Sequence, residues 1–180
     1  MSTTPSTPTI ENRPARPYIA ISARVTSNAE LRQAADQGFP RLFGWLHERS
    51  LAPAGPPFIR YRAFSATCDP ACVEIAAPTA IRMKGSDGIE ASMLPAGEWV
   101  TFLHRGPYAH ASEPDLAAAH ATVRAWIDGQ HDLALAHEEA VFDETALSGC
   151  VEQFRVGPVE QSDFRRWETE LAYLVERSPK

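Results

Sequence analysis

The stretch LAAAHATVRAWI, residues 116–127, carries the strongest fold signal in this chain. Leu116, Ala119, Val123 and Ile127 recur at helical spacing and form one apolar stripe, closed by Gly129. The stretch ends on Trp126–Ile127. Roughly eighty residues earlier a second stripe, Phe39, Leu42, Phe43 and Leu46, ends on Trp45–Leu46, and each pair is followed by a polar loop and a strand. Two helices ending alike, at a fixed offset, indicate an internal duplication. Trp45 and Trp126 are assigned to the core.

Outward from the helices, the flanking runs read as strands. Residues 18–25 are β-forming, with Ile19, Ile21 and Val25. Ser27 and Glu30 stand at capping-box spacing before Leu31. Pro40 is expected to interrupt that helix and to open a renewed one. Residues 58–64 and 72–76 supply two further strands, and residues 80–95, with Gly85, Gly88 and Pro95, read as a linker with some extended character. The second pass runs from residues 99–104 through a helix opened by Ser112 and Pro114. Strands at 135–142 and 167–175 follow, joined by a polar stretch around Gly149 and Gly157. The expected fold is α+β: duplicated βαββ units forming one antiparallel sheet, two helices on one face, and a ligand cleft. The repeats span about 18–78 and 94–177 of a single domain at 18–177. Residues 1–17, rich in Ser, Thr and Pro, are expected to be a disordered tail.

Composition narrows the function. A length of 180 residues with 44% hydrophobic and 22% charged residues suits one globular domain. The net charge of −6 disfavours direct nucleic-acid binding, which needs clustered Lys and Arg. Before Tyr18 there is no room for a helix-turn-helix. No run is long and apolar enough to span a bilayer, and no export signal is apparent, so the expected setting is cytoplasmic. Cys68, Cys72 and Cys150 are odd in number and lack zinc-type spacing; neither disulfide nor metal is expected. No Gly-rich phosphate loop or nucleophile elbow occurs, and no cofactor is expected. The expected partner is a small organic ligand, with the chain a monomer or homodimer.

Candidate site residues follow from chemistry and alternation. In the last strand Glu168, Glu170, Ala172 and Leu174 share one face, and Trp167, Thr169, Leu171 and Tyr173 the other. A carboxylate beside Ala172 and Leu174 is a candidate partner for a ligand cation; a salt bridge or a solvent-facing position is the competing reading of Glu170. Trp99, Tyr108 and Trp167, with Tyr61 and Phe142 behind them, offer rings to stack on a planar ligand, with core packing as the alternative. His104 ends a strand before Gly106–Pro107, placed for a ligand contact or for a structural bond to the turn. His47 and His120 read as structural or exposed.

Leu94-Pro95-Ala96-Gly97, then Trp99, His104 and Gly106-Pro107-Tyr108, resembles the signature of GyrI-like domains, which are also the effector-binding domains of multidrug-sensing regulators. Trp167-Glu168-Thr169-Glu170-Leu171 resembles that family's closing strand, and the helix ending at Trp126 and a strand with Glu138 fall between them. Two positions after Glu138 the family's usual aromatic is Ala140, with Phe142 a substitute. The resemblance implies a duplicated βαββ fold around a pocket for lipophilic, often cationic, aromatic compounds, with Glu170 turned towards the ligand. It also implies two alternatives. One is a hydrolase that opens cyclopropane rings in DNA-alkylating natural products, Glu170 with Glu138 activating water. The other is a gyrase-inhibitor-like interaction protein.

Overall fold

The structure, a computed structural model, describes residues 7–63, 71–111, 113–136 and 150–177. Among these, the chain forms β1 (Thr9–Arg13), β2 (Arg16–Val25), α1 (Asn28–Glu48), β3 (Phe58–Ala63), β4 (Ala71–Pro78), β5 (Glu90–Leu94) and β6 (Gly97–Arg105). Then come α2 (Leu116–Asp128), β7 (Leu133–Leu135), β8 (Cys150–Val156), a 3-10 turn at Phe164–Arg166 and β9 (Glu168–Arg177). The strands make one antiparallel sheet in the order β1-β6-β9-β8-β3-β4-β2-β5, and β7 pairs with the far end of β9.

That order repeats about its middle. The segment β6-β9-β8 mirrors β2-β4-β3, and β8 meets β3 at the centre. Registers agree residue by residue: Tyr18 faces Pro78 and Ser22 faces Glu74 in the first half, as Trp99 faces Leu174 and Leu103 faces Glu170 in the second. Phe58 faces Ala76 as Val151 faces Ala172. The short strands trade partners, β1 pairing with β6 of the second half and β5 with β2 of the first. Only Pro14–Ala15 separates β1 from β2, and only Pro95–Ala96 separates β5 from β6. Two residues bridge at most ~10 Å, so strands from opposite ends of the order are drawn together and the sheet curls into a half-barrel. Proline suits these links because its missing N–H removes a ladder donor where the chain changes strands.

Helix α1 begins as the capping-box spacing predicts, Ser27 Oγ accepting from the Glu30 N–H at 3.2 Å. The Glu30 carboxylate reaches back one residue further, to the N–H and hydroxyl of Thr26. The helix then runs unbroken through Pro40, contrary to the expected renewal. The proline forfeits one backbone bond, while Leu42, Trp45 and Leu46 beyond it are buried and hold the helix to the sheet. Close approach is set by Gly38, where a Cβ would lie 2.8 Å from Ile75 Cγ2. Helix α2 is capped by Asp115, which accepts from the Ala118 N–H, and so opens just after the expected Pro114; Ser112 lies outside the described residues, and Gly129 ends the helix as expected.

Three further expectations change. Residues 9–13, placed in a disordered tail, are strand β1; it is a mostly exposed edge strand whose polar sequence carries no hydrophobic pattern. The linker at 80–95 contains β5, and the polar stretch before Gly157 contains β8. Of the strand expected at 135–142 only Leu135 and Ala136 are described: Leu135 ends the short strand β7, Ala136 follows it, and residues 137–142 lie outside the described residues. Side-chain alternation gives two apolar layers. Ile59, Val73, Ile75, Leu171, Tyr173 and Val175 pack beneath both helices with Leu42, Leu46, Val123 and Ile127. Tyr18, Phe58, Trp99, Val151 and Ala172 form a second cluster on the opposite face.

Candidate functional site

Glu152 lies in the middle of β8, between Ile59 of β3 and Leu171 of β9. Alternation turns Cys150, Glu152 and Phe154 towards the helices and Val151, Gln153 and Arg155 away. The carboxylate is buried, and its Oε1 accepts from the Tyr61 hydroxyl at 2.9 Å and meets His120 Nε2 of α2 at 2.7 Å. The other ring nitrogen of His120, Nδ1, contacts the Tyr173 hydroxyl of β9 at 2.5 Å. Four elements thus bring two proton-carrying groups, Tyr61 and His120, to one carboxylate and a third, the Tyr173 hydroxyl, to the far side of His120.

The electrostatics follow from this packing. Burial opposes charge on His120, but contacts with Cys150 and Glu152 outweigh it and raise the imidazolium to about 10. The Glu152–His120 contact is therefore an ion pair at neutral pH. Burial, reinforced by Glu152, pushes the Tyr61 hydroxyl well above its ordinary range. Tyr173 moves the same way, through burial and then the neighbouring Cys150. Both stay neutral hydroxyls.

An aromatic wall adjoins this cluster. The Tyr108 ring lies 4.6 Å from that of Trp167 and 5.3 Å from that of Phe154, and Phe39 of α1 meets Phe154 edge-on at 6.0 Å. Trp167 is fixed by its indole N–H, which donates to the Gln161 carbonyl at 2.7 Å. Tyr108 is raised to about 12 by burial, then by the fields of Glu160 and Glu152. Phe154 lies two residues from Glu152 on the same face of β8, so the wall, met by Phe39 of α1, and the carboxylate, met by His120 of α2, share that face.

Of the residues singled out in the sequence, Tyr61, Tyr108 and Trp167 come together here. Glu138 and Phe142 lie outside the described residues. His104 is buried, its Nε2 3.1 Å from the Pro107 carbonyl, a bond that ties the strand end to the turn. Trp99 falls in the cluster on the opposite face. Glu170 is there too, contrary to the expected cleft: Arg13 donates to its Oε1 at 2.9 Å and Arg155 binds its Oε2. Burial alone does not separate the two glutamates, which are 4% and 5% exposed. Their partners do.

The duplication sharpens that distinction. By register, Glu74 occupies in the first half the place of Glu170 in the second, and Arg62 that of Arg155. Arg62 binds Glu74 at 3.0 Å, and Tyr18 donates to Glu74 at 2.6 Å while accepting from Arg60 at 2.6 Å. The Arg–Glu pair therefore occurs in both halves, as a framework contact would. Glu152, by contrast, corresponds to Ile59. The fold is satisfied by an apolar residue at that place, and the second half alone carries a carboxylate there. Sequence reasoning missed Glu152, His120, Tyr173, Phe154 and Phe39. The signal for Glu152 was the alternation Cys150, Glu152, Phe154, hidden in a stretch that reads as polar.

Several solved structures share this arrangement. The C-terminal domain of EcmrR superposes with a TM-score of 0.72 at 18% identity, covering 96% of this chain and 99% of that one. EcmrR in its complex with DNA gives 0.76 at 17% identity; 96% of this chain is covered, and it spans 58% of the EcmrR chain. SAV2435 bound to tetraphenylphosphonium gives 0.59 at 11% identity, covering 94% of each chain. These likenesses concern the fold. No curated protein sequence matches the chain. The family model for the GyrI-like small molecule binding domain matches residues 6–146. With that match over most of its length and with this fold, the chain belongs to the GyrI-like small molecule binding domain family.

Proposed function

We propose that this domain binds lipophilic aromatic compounds, cationic ones included, between α1 and α2, against Phe39, Tyr108, Phe154 and Trp167 and over Glu152, as a drug- or toxin-binding sensor or protector. The observation that carries the reading is Glu152, a buried carboxylate where the duplicate half has Ile59. Aromatic faces stabilise a stacked cation by about 0.5–2 kcal/mol each, and a nearby carboxylate adds a charge that water does not screen. Because His120 already pairs with Glu152, an incoming cation competes with the imidazolium and favours loss of its proton. Calorimetric titration with tetraphenylphosphonium tests the reading: saturable binding, lost in Glu152→Gln and weakened in Phe154→Ala, supports it. Binding unchanged in both variants refutes it.

A second reading has one observation of its own. Glu152 is in contact with two groups able to carry protons, Tyr61 and His120, as general-base activation of water in a sequestered site requires. In this reading Glu152 takes the role first assigned to Glu170, and the substrate is a strained cyclopropane electrophile held by the aromatic wall. Incubation with a cyclopropane-bearing alkylator and mass spectrometry of the ring-opened product separates turnover from binding.

A further inference from the structure

On the face away from the helices, where the two Pro–Ala links run side by side, lies a cavity of about 140 Å³. Pro14, Leu94, Pro95 and the indole of Trp99 form its apolar walls, and Arg13 and Arg16 are its charged lining. Two polar groups here lack partners. The Trp99 indole N–H is buried with no acceptor among the described residues, although Trp99 is only 2% exposed. Burying such a donor unpaired costs roughly 1–3 kcal/mol, and neighbouring atoms close it off from the cavity, so the indole enters the site as a wall. Arg16 is half-buried, its guanidinium 5.6 Å from the centre of the Phe58 ring, with no hydrogen bond or ion pair of its own among the described residues.

The local charge is also unbalanced. Arg13 and Arg155 share Glu170, and Arg13 also binds Glu11. With Arg16 added, three guanidinium groups face two carboxylates, leaving one positive charge in a protein whose net charge is −6. Burial, and then repulsion from Arg13, weakens Arg16's hold on its proton, which a bound anion would reverse.

We propose that this seam cavity is a second ligand site, distinct from the site between the helices, that takes a small monocarboxylate with an apolar body. The carboxylate lies against Arg16, whose planar fork matches two oxygens, with the Trp99 indole as a wall beside it. The apolar part fills the space between Leu94 and the two prolines. Arg13 orders the site while remaining bound to Glu170. Sequence pattern marks the place as well: Arg16 stands where the duplicate link has Gly97, so this half alone adds a charge there.

The test is an NMR titration of the ¹⁵N-labelled protein with sodium benzoate, the Trp99 side-chain signal being identified by its loss in Trp99→Phe. Benzoate, held against the indole wall, is expected to shift that signal saturably, and benzamide, its neutral counterpart, to leave it in place. Arg16→Gln is expected to weaken benzoate by about 10- to 100-fold, the loss of one charge-assisted contact. Arg16→Lys, which keeps the charge without the fork, is expected to fall between, and circular dichroism checks that both variants fold. No shift of the Trp99 signal with benzoate, equal binding of benzamide, or full affinity in folded Arg16→Gln overturns the proposal. Tetraphenylphosphonium added to the same sample leaves the Trp99 signal unmoved if the two sites are separate.

Discussion

Replacing each buried glutamate by glutamine separates framework from site. In Glu170→Gln the shape is kept and the charge removed, leaving Arg13 and Arg155 without their shared carboxylate. Breaking a fully buried pair from one side costs about 3–5 kcal/mol, and an exposed pair is worth about 0.2–1 kcal/mol. Glu170 itself is buried, but the side chains of Arg13 and Arg155 are 27% and 46% exposed, so water takes up much of the freed charge. The expected loss is ~2 kcal/mol, or about 4–8 °C in Tm for a domain of this size. Thermal unfolding followed by circular dichroism measures it, and calorimetric titration with tetraphenylphosphonium reports the site. Glu170→Gln is expected to melt early and bind within about threefold of the parent, because its carboxylate is on the far face of the sheet. Glu152→Gln is expected to lose binding. An unchanged Tm with lost binding in Glu170→Gln, and normal binding in Glu152→Gln, would refute the assignment of faces to roles.

Other expectations follow from named contacts. His120 is raised in the folded state, so the stability from its pairing with Glu152 is fully present below pH 6.5 and is lost as pH rises through about 10. The Tm difference between the parent and His120→Gln therefore narrows across that window, as a pH series of melts will show; Glu152 and Cys150 of β8 set it, while Tyr61 of β3 and Tyr173 of β9 face the same ring. Affinity for tetraphenylphosphonium rises over the same window, since the competing proton is easier to remove, and a flat calorimetric pH profile would contradict the competition. Gly38→Ala drives a methyl to 2.8 Å from Ile75 Cγ2; overpacking of about 1–3 kcal/mol exceeds the helix-propensity gain of about 1 kcal/mol, so chemical denaturation midpoints should fall. Removing residues 1–13 deletes β1 and Arg13, leaving the β6 edge unpaired. A lower Tm is expected, with concentration-dependent association by light scattering.

The duplicated architecture was legible in one dimension because its signals are local. Two helical stripes ending on Trp–aliphatic pairs, a serine cap at Ser27 and β-branched runs at residues 18–25 declare themselves within a few residues. Strand β1 and strand β8 did not. The edge strand β1 rests on backbone pairing and an Arg13 contact to a residue 157 positions away, and β8 interleaves polar residues that are buried only by other strands. The alternation of β9 also correctly grouped Glu170 with Ala172 and Leu174, and Tyr173 with Leu171. Which group faces the helices is a different matter, since period-two alternation is blind to the identity of the two faces. Tertiary structure decided it: curling through the Pro14–Ala15 and Pro95–Ala96 links put Glu170 among arginines from β1 and β8, while α2 brought His120 over Glu152. Local sequence thus determined the repeating elements, and only long-range pairing decided which of two equally buried glutamates lies beside the aromatic wall.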